Sequence, residues 1–323
     1  MKSFKHVNAK TVDEAVELLK DHGGKANLIA GGTDLLGVLK DKILPEYPET
    51  IINIKTISGL DYIKEDGKGL KIGALSSLRD IANSPTIKGK YKVLSDAAES
   101  VASPEIRNMG TIGGNLTQDV RCWYYRVPQR IGGPIMCPRK GSGQCMAVQG
   151  DNRYHAIMGA KKCFAVCPSD TAVALAALDA IIKAVGPNGE RTIPVKDFYQ
   201  PLNNALNVEE IVTEIEVPKP PDGARHQFLK FTLRKPIDFA IVSVASVIAV
   251  EDGVCTDARI ALGAVAPAPL RATQAEEAIK GKAIDDAIAE SAAESAVAGS
   301  KPLSMNAYKV DITKTLVKRA IVS

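Results

Sequence analysis

Long apolar runs are missing from this chain: nothing in it approaches the roughly eighteen consecutive apolar residues of a membrane-spanning helix. The opening residues, Met1-Lys2-Ser3-Phe4-Lys5-His6, lack the apolar core of a secretory signal. Together these absences lead to the expectation of a cytoplasmic protein with no membrane span. A strong excess of one charge is lacking as well. The 41 basic and 37 acidic side chains leave +4 over 323 residues, read as too mild and too evenly spread for nucleic acid or an anionic membrane. Histidine is scarce: His6, His22, His155 and His226 form no metal-spacing pair and flank no evident nucleophile. They read as satisfied or solvent-exposed side chains. There is no hydrolase arrangement of serine, histidine and aspartate, and no P-loop.

Cysteine is also sparse, but unevenly placed. Cys122, Cys137, Cys145, Cys163 and Cys167 fall within 46 residues, and Cys255 stands apart. Without a secretory signal, metal or redox chemistry explains such a group better than a disulfide framework. The spacings are C-x14-C, C-x7-C, C-x17-C and C-x3-C. Zinc favours paired knuckles, and only Cys163 and Cys167 offer one. Thiolates are also the usual ligands of iron–sulfur clusters, where wide spacing is tolerated if a loop wraps the cluster. Idle buried thiols are the bland alternative.

Along the chain, Val12 to Leu19 recur at helical spacing, and Asn27–Ala30 and Thr50–Ile54 read as buried strands. A hairpin is expected around Glu65-Asp66-Gly67, then helices near Leu78–Ala82 and Val93–Val101. Residues 120–168 show no sustained period. A connection that long is unusual unless it is functional or held by something other than a core. Regular structure resumes with a helix at Thr171–Ala180 and a strand at Ile181–Val185. Glu214–Val217 alternates like an exposed strand before Pro218-Lys219-Pro220-Pro221, the best boundary in the chain. Beyond it, Glu251-Asp252-Gly253 marks a second hairpin, and Thr273–Ser323 is mostly helical.

Two glycine segments invite attention. In Leu28-Ile29-Ala30-Gly31-Gly32-Thr33-Asp34-Leu35, a buried strand delivers two glycines, which let backbone N–H groups close on a phosphate. Thr111-Ile112-Gly113-Gly114-Asn115-Leu116, about eighty residues on, has the same character. Two such turns could hold both sides of one pyrophosphate. Each alone is equally a plain turn, and both readings stand.

Taken in order, Ala30–Leu36, Thr111–Leu116 and Pro168-Ser169-Asp170 resemble the flavoprotein subunit of xanthine dehydrogenase-type molybdenum enzymes. The likeness continues through Gly73-Ala74, Phe228-Leu229-Lys230 and Ala307-Tyr308-Lys309, and covers essentially the whole chain. It implies an α+β fold. A two-part FAD-binding domain of the vanillyl-alcohol oxidase type would span 1–220, with subdomains 1–57 and 58–220. A C-terminal α+β domain of the CO dehydrogenase flavoprotein type would span 221–323. By this resemblance Leu28, Ile29, Ala30, Gly31, Gly32, Thr33, Asp34 and Leu35 wrap the FAD pyrophosphate. Thr111, Gly113, Gly114 and Asn115 line its other side with Val101 nearby. Asp170 holds adenosine or ribityl hydroxyls, and Val212 and Lys230 approach the flavin end.

Ordinary members pass quickly from the second glycine motif to the Ser-Asp motif. Here about forty extra residues intervene and carry the five clustered cysteines. A subgroup similar to 4-hydroxybenzoyl-CoA reductase and a bacterial aldehyde oxidoreductase shares this insertion, 120–168, which there holds a [4Fe-4S] cluster. Matching local contexts implies Cys122, Cys137, Cys145 and Cys163 as its ligands, with Cys167 outside the set. The resemblance further implies an electron-transfer subunit with no catalytic residue of its own. Its expected partners are a large molybdopterin subunit, a small subunit with [2Fe-2S] clusters, and an external carrier (ferredoxin, NAD or quinone). The rivals are a free-standing flavin reductase of the same fold and a zinc-stapled binding module.

Overall fold

The computed structural model describes residues 1–234 and 237–323. The chain begins with a parallel three-stranded sheet. Thr50–Asn53 lies between Lys5–Asn8 and Ala26–Ile29. The helix Val12–Asp21 makes the crossover, started by Thr11, whose hydroxyl accepts from the Glu14 N–H at 3.1 Å. Its apolar stripe of Ala15, Val16 and Leu19 is buried with Ile52, Ile54 and Leu60, as a parallel sheet requires.

A second, five-stranded antiparallel sheet follows, in the order Ile63–Asp66, Gly69–Gly73, Ile211–Pro218, Ile181–Gly186, Gly189–Pro194. Within its middle strand, Ile211–Pro218, the alternation of Glu214–Val217 predicts an exposed strand. Instead it is buried almost throughout. Glu214 and Glu216 are neutralised by Lys183 on the neighbouring strand at 2.9 and 3.0 Å, so their charge does not mark an edge. The helix Asp170–Ala177 is buried on every side. It packs in one core with the helix Lys92–Glu99 and with Ala245, Val247 and Ala261 of the third sheet.

The third sheet is antiparallel, ordered Leu270–Arg271, Val254–Gly263, Val242–Glu251, Arg225–Phe231. Its long hairpin turns at Asp252 and Gly253, both at positive φ, as a tight two-residue turn demands. The helices Thr273–Ile279, Asp286–Val297 and Tyr308–Val322 cover one face. Mixed helices and sheets in these units give the α+β class expected from the sequence. No helix among the described residues is long and apolar enough to cross a membrane.

Residues 120–168 contain three single 3-10 turns, Gln129–Ile131, Pro138–Lys140 and Met146–Val148, and no longer element. The missing periodicity of that stretch was therefore real.

Candidate functional site

The first glycine segment leaves the strand Ala26–Ile29 and enters the helix Leu35–Asp41. Gly32 has φ of +69°, which favours glycine. Gly31 is required for another reason: a Cβ there would lie 1.8 Å from the Met109 carbonyl oxygen. The first glycine segment thus presses against the backbone of Met109 and Gly110, just before the second. The second segment is not a turn, as its sequence suggested, but the start of a helix, Ile112–Thr117. Thr111 caps it, its hydroxyl accepting from the Gly114 N–H at 3.2 Å. Short polar and glycine residues serve caps and turns alike, so the sequence did not separate them.

Three adjoining cavities share Thr111 and Gly114 as walls. The first, about 390 Å3, is lined by the whole run Leu28–Leu35. The second, about 340 Å3, adds Gly113 and Val212. The third, about 290 Å3, adds Val101, Asn115 and Lys230. A long ligand threading between the glycine segments would use all three.

Asp170 lines none of these cavities. Its carboxylate accepts from Lys230 Nζ at 2.6 Å, and the same ammonium donates to the Ser100 carbonyl at 2.9 Å. Burial raises the Asp170 pKa and Lys230 opposes that rise. The pair joins the buried helix to the third sheet, a link between distant segments that no local pattern foretold. Asn115 is similarly committed, its Oδ1 accepting the Ser169 and Thr171 hydroxyls, each at 2.6 Å.

Asp34 lines the first and third cavities and ties them to the cysteine loop. It accepts from the Asp119 N–H at 2.8 Å, from Arg126 at 2.7 Å and from Arg121 at 2.9 Å. Burial, with Arg126 beside it, lowers Arg121 to about 10. The loop is more basic than the chain as a whole. Residues 120–168 hold eight of the lysines and arginines and a single carboxylate, Asp151. The even spread of charge expected above does not hold in this segment.

Of the four cysteines expected as ligands, the loop brings Cys122, Cys137 and Cys163 to one small core, while Cys145 lines a separate cavity with Met146 and Lys162. Cys137 and Cys163 are buried in one small core with Val120, Tyr125 and Ala165, and Cys122 packs against it. Burial, with Cys163 and Cys145 close enough to add to it, pushes the Cys122 thiol up to about 11. Among the described residues, no three His, Cys, Asp or Glu side chains stand close enough together to hold one metal ion. Cys167 lies elsewhere, in the main core beside Tyr199, with burial pushing its thiol up to about 12.

Two further residues near the thiols went unnoticed in the sequence. His155, read as an ordinary histidine, is buried with Nε2 3.3 Å from Cys122 Sγ. Burial, then the charge of Lys309, pushes it down to about 4. Lys140 is 8% exposed, and its Nζ has no hydrogen-bond partner among the described residues. The His155 carbonyl accepts from Asn306 Nδ2 at 3.1 Å and from Lys309 Nζ at 3.0 Å. Thus the last helical region clamps the loop from 151 residues away, beyond the reach of any motif.

The comparisons with known proteins agree with this architecture. Residues 2–220 match the FAD binding domain in molybdopterin dehydrogenase, and residues 227–323 match the CO dehydrogenase flavoprotein C-terminal domain. The chain is 35% identical to the aldehyde oxidoreductase FAD-binding subunit PaoB of Escherichia coli, covering 97% of this chain and 96% of that one. It is 31% identical to the nicotinate dehydrogenase FAD-subunit of Eubacterium barkeri, over 87% of this chain and 81% of the relative. Among solved structures, carbon monoxide dehydrogenase from Hydrogenophaga pseudoflava superposes with a TM-score of 0.80 at 30% identity, covering 99% of this chain and 96% of that chain. Two glycine segments walling a divided cavity, together with matches running the length of the chain, place it in the family of FAD-binding medium subunits of molybdenum hydroxylases and CO dehydrogenases.

Proposed function

We propose that this chain carries one FAD and one [4Fe-4S] cluster and relays electrons in a heteromeric molybdenum hydroxylase. The substrate, an aldehyde, an aromatic acyl-CoA or an N-heterocycle, would react on a large molybdopterin subunit. A small subunit with [2Fe-2S] clusters would stand between that centre and this chain. A ferredoxin, NAD or a quinone would be the external carrier. Residues 1–220, divided at 57 and 58, would bind the flavin, and 221–323 would form the second domain.

The residues suit the flavin. Leu28–Leu35 offer backbone N–H groups where no side chain intervenes, and Thr111, Gly113, Gly114 and Asn115 face them across the cavity. Val101, Val212 and Lys230 would close on the remaining parts. Asp170 would act through Lys230, which its buried ion pair holds in place. When bound, FAD supplies exchange of one electron with a metal cluster and of two with a pyridine nucleotide or quinone.

The residues suit the cluster too, and one observation carries this reading: a buried, unpartnered ammonium, Lys140, within electrostatic reach of Cys137 and Cys122. An uncompensated buried charge is costly, and an anionic cluster on the thiolates of Cys122, Cys137, Cys145 and Cys163 would compensate it. The thiols are not drawn to the spacing one ion needs. A cubane attaches its thiolates at separate corners and so asks for a wider set than one ion does.

Metal and flavin analysis of the purified protein tests both parts. Iron with acid-labile sulfide is expected, together with FAD released on acid denaturation. Zinc alone would replace the cluster reading with a zinc staple, and FMN or covalently retained flavin would overturn the flavin reading.

A further inference from the structure

Lys140 closes a 3-10 turn directly after Cys137, its N–H donating to the Cys137 carbonyl at 2.8 Å. That turn aims its side chain inward, although its exposed neighbours Gly141 and Ser142 lie at the surface. The ammonium rests 5.1 Å above the Tyr125 ring, in the small core that also holds Cys137 and Cys163. Asp119 is the carboxylate that acts on it, yet Asp119 is already engaged. It accepts from the Val120 N–H at 2.9 Å and from the Tyr125 hydroxyl, and Arg139 stands 3.8 Å away. A ring face alone offsets little of the cost of burying a cation. The other basic residues of the loop are differently placed. Arg121 and Arg126 pair with Asp34, Arg153 pairs with Asp151, Arg130 lies 4.0 Å from Asp41, and Lys161 and Lys162 are exposed. Arg139 has a buried Nε without a partner among the described residues but reaches Asp119 through Nη1.

We propose that Lys140 is the fixed countercharge of the cluster held by Cys122, Cys137, Cys145 and Cys163, and that it makes the cluster easier to reduce. This rests on the cluster reading above. Adding one electron deepens the negative charge on the cluster, and a cation held in a water-poor core stabilises the reduced form more than the oxidised one. The charge is built into the protein because the turn after Cys137 holds the side chain inward with its Nζ buried. Exposed Lys161, also near a cluster cysteine, is screened by water and contributes far less.

The test is a redox titration of the full chain purified with its co-expressed partner subunits, at one pH. The cluster signal is followed by electron paramagnetic resonance at a temperature that separates it from [2Fe-2S] signals. Lys140→Met keeps the length and removes the charge. It is expected to retain iron and sulfide and to disfavour one-electron reduction at least tenfold, a potential about 59 mV more negative. Lys140→Arg is expected to restore most of that shift, and Lys161→Met to show none. Loss of the cluster in Lys140→Met with retention in Lys140→Arg also supports the countercharge, because the anion then depends on it. An intact cluster with an unmoved potential in Lys140→Met overturns the inference and leaves the proposed function standing. Loss of the cluster in both variants overturns it as well, assigning Lys140 to packing. Absence of iron and sulfide from the wild-type protein overturns the cluster reading itself, and the inference with it.

Discussion

Around the glycine segments the backbone does the holding, whereas in residues 120–168 side chains do. Gly31 is pressed against the Met109 carbonyl, the Thr111 hydroxyl caps a helix, and the strand Ala26–Ile29 feeds straight into the cavity wall. Asp34 is the residue of the first segment that is tied to distant charges, Arg121 and Arg126. The loop has three short 3-10 turns and a small core. It is pinned by Asp34 on one side and by Asn306 and Lys309 on the other. The first region is preorganised by its chain path. The second is a set of side-chain ties around thiols and a buried cation.

The comparison breaks most visibly at Gly31. A methyl group there meets a backbone carbonyl that cannot rotate away, so Gly31→Ala should lower stability by about 3 kcal/mol or more. Flavin content should fall with it, both read from thermal denaturation and absorbance of the purified variant. A stable, fully yellow Gly31→Ala protein would mean that Gly31 and the Met109 carbonyl do not touch in solution.

Next come the thiols. Serine at Cys122, Cys137, Cys145 or Cys163 should strip the iron and open residues 120–168 to proteolysis, with the glycine region unaffected. Serine at Cys167 or Cys255, both buried in other cores, should leave iron content unchanged. Peptide mapping of limited digests, paired with iron assay, separates these outcomes. Iron loss from Cys167→Ser with none from Cys163→Ser would move the ligand set by one position.

A smaller effect concerns pH. Burial depresses Lys309 to about 7 from an ordinary value of 10.5. Between those values the unfolded chain binds a proton that the folded chain does not, so this group makes stability rise with pH. Below about pH 7 both states are protonated and its contribution is flat. Urea midpoints measured from pH 7 to pH 10 should climb less steeply in Lys309→Met than in wild type. Equal slopes would show that the carbonyls of His155 and Ala264 keep the ammonium charged.

The mildest change sharpens the comparison. Asp34→Asn weakens the ties to Arg121 and Arg126, all three side chains being about one-fifth exposed. The cost should be about 1 kcal/mol, since solvent screens such pairs. Hydrogen exchange should quicken across 119–126 while flavin content stays near wild type. Flavin loss without faster exchange would return Asp34 to the flavin side of the site.

Local pattern determined a good deal of this protein. The period of Val12–Asp21, the Asp252-Gly253 turn and the alternation of the flanking strands follow from nearest-neighbour sterics and from which face must be dry. The glycine pairs marked both cavity walls because only glycine permits such backbone approach. The run of cysteines without periodicity marked a loop needing another source of order. Other features lay beyond one sequence because they join residues far apart. Within the middle strand, Glu214–Val217 looked exposed until Lys183 neutralised its glutamates. Nothing local to Asp170 announced its buried ion pair with Lys230, sixty residues on. The Ile112–Thr117 helix shares its residue types with a turn, and packing against Ala74 decided between them. Lys140 reads as one more basic surface residue in the sequence. Tertiary structure alone buried it beside the thiols, because burial depends on which distant segments close over a side chain and not on the side chain itself.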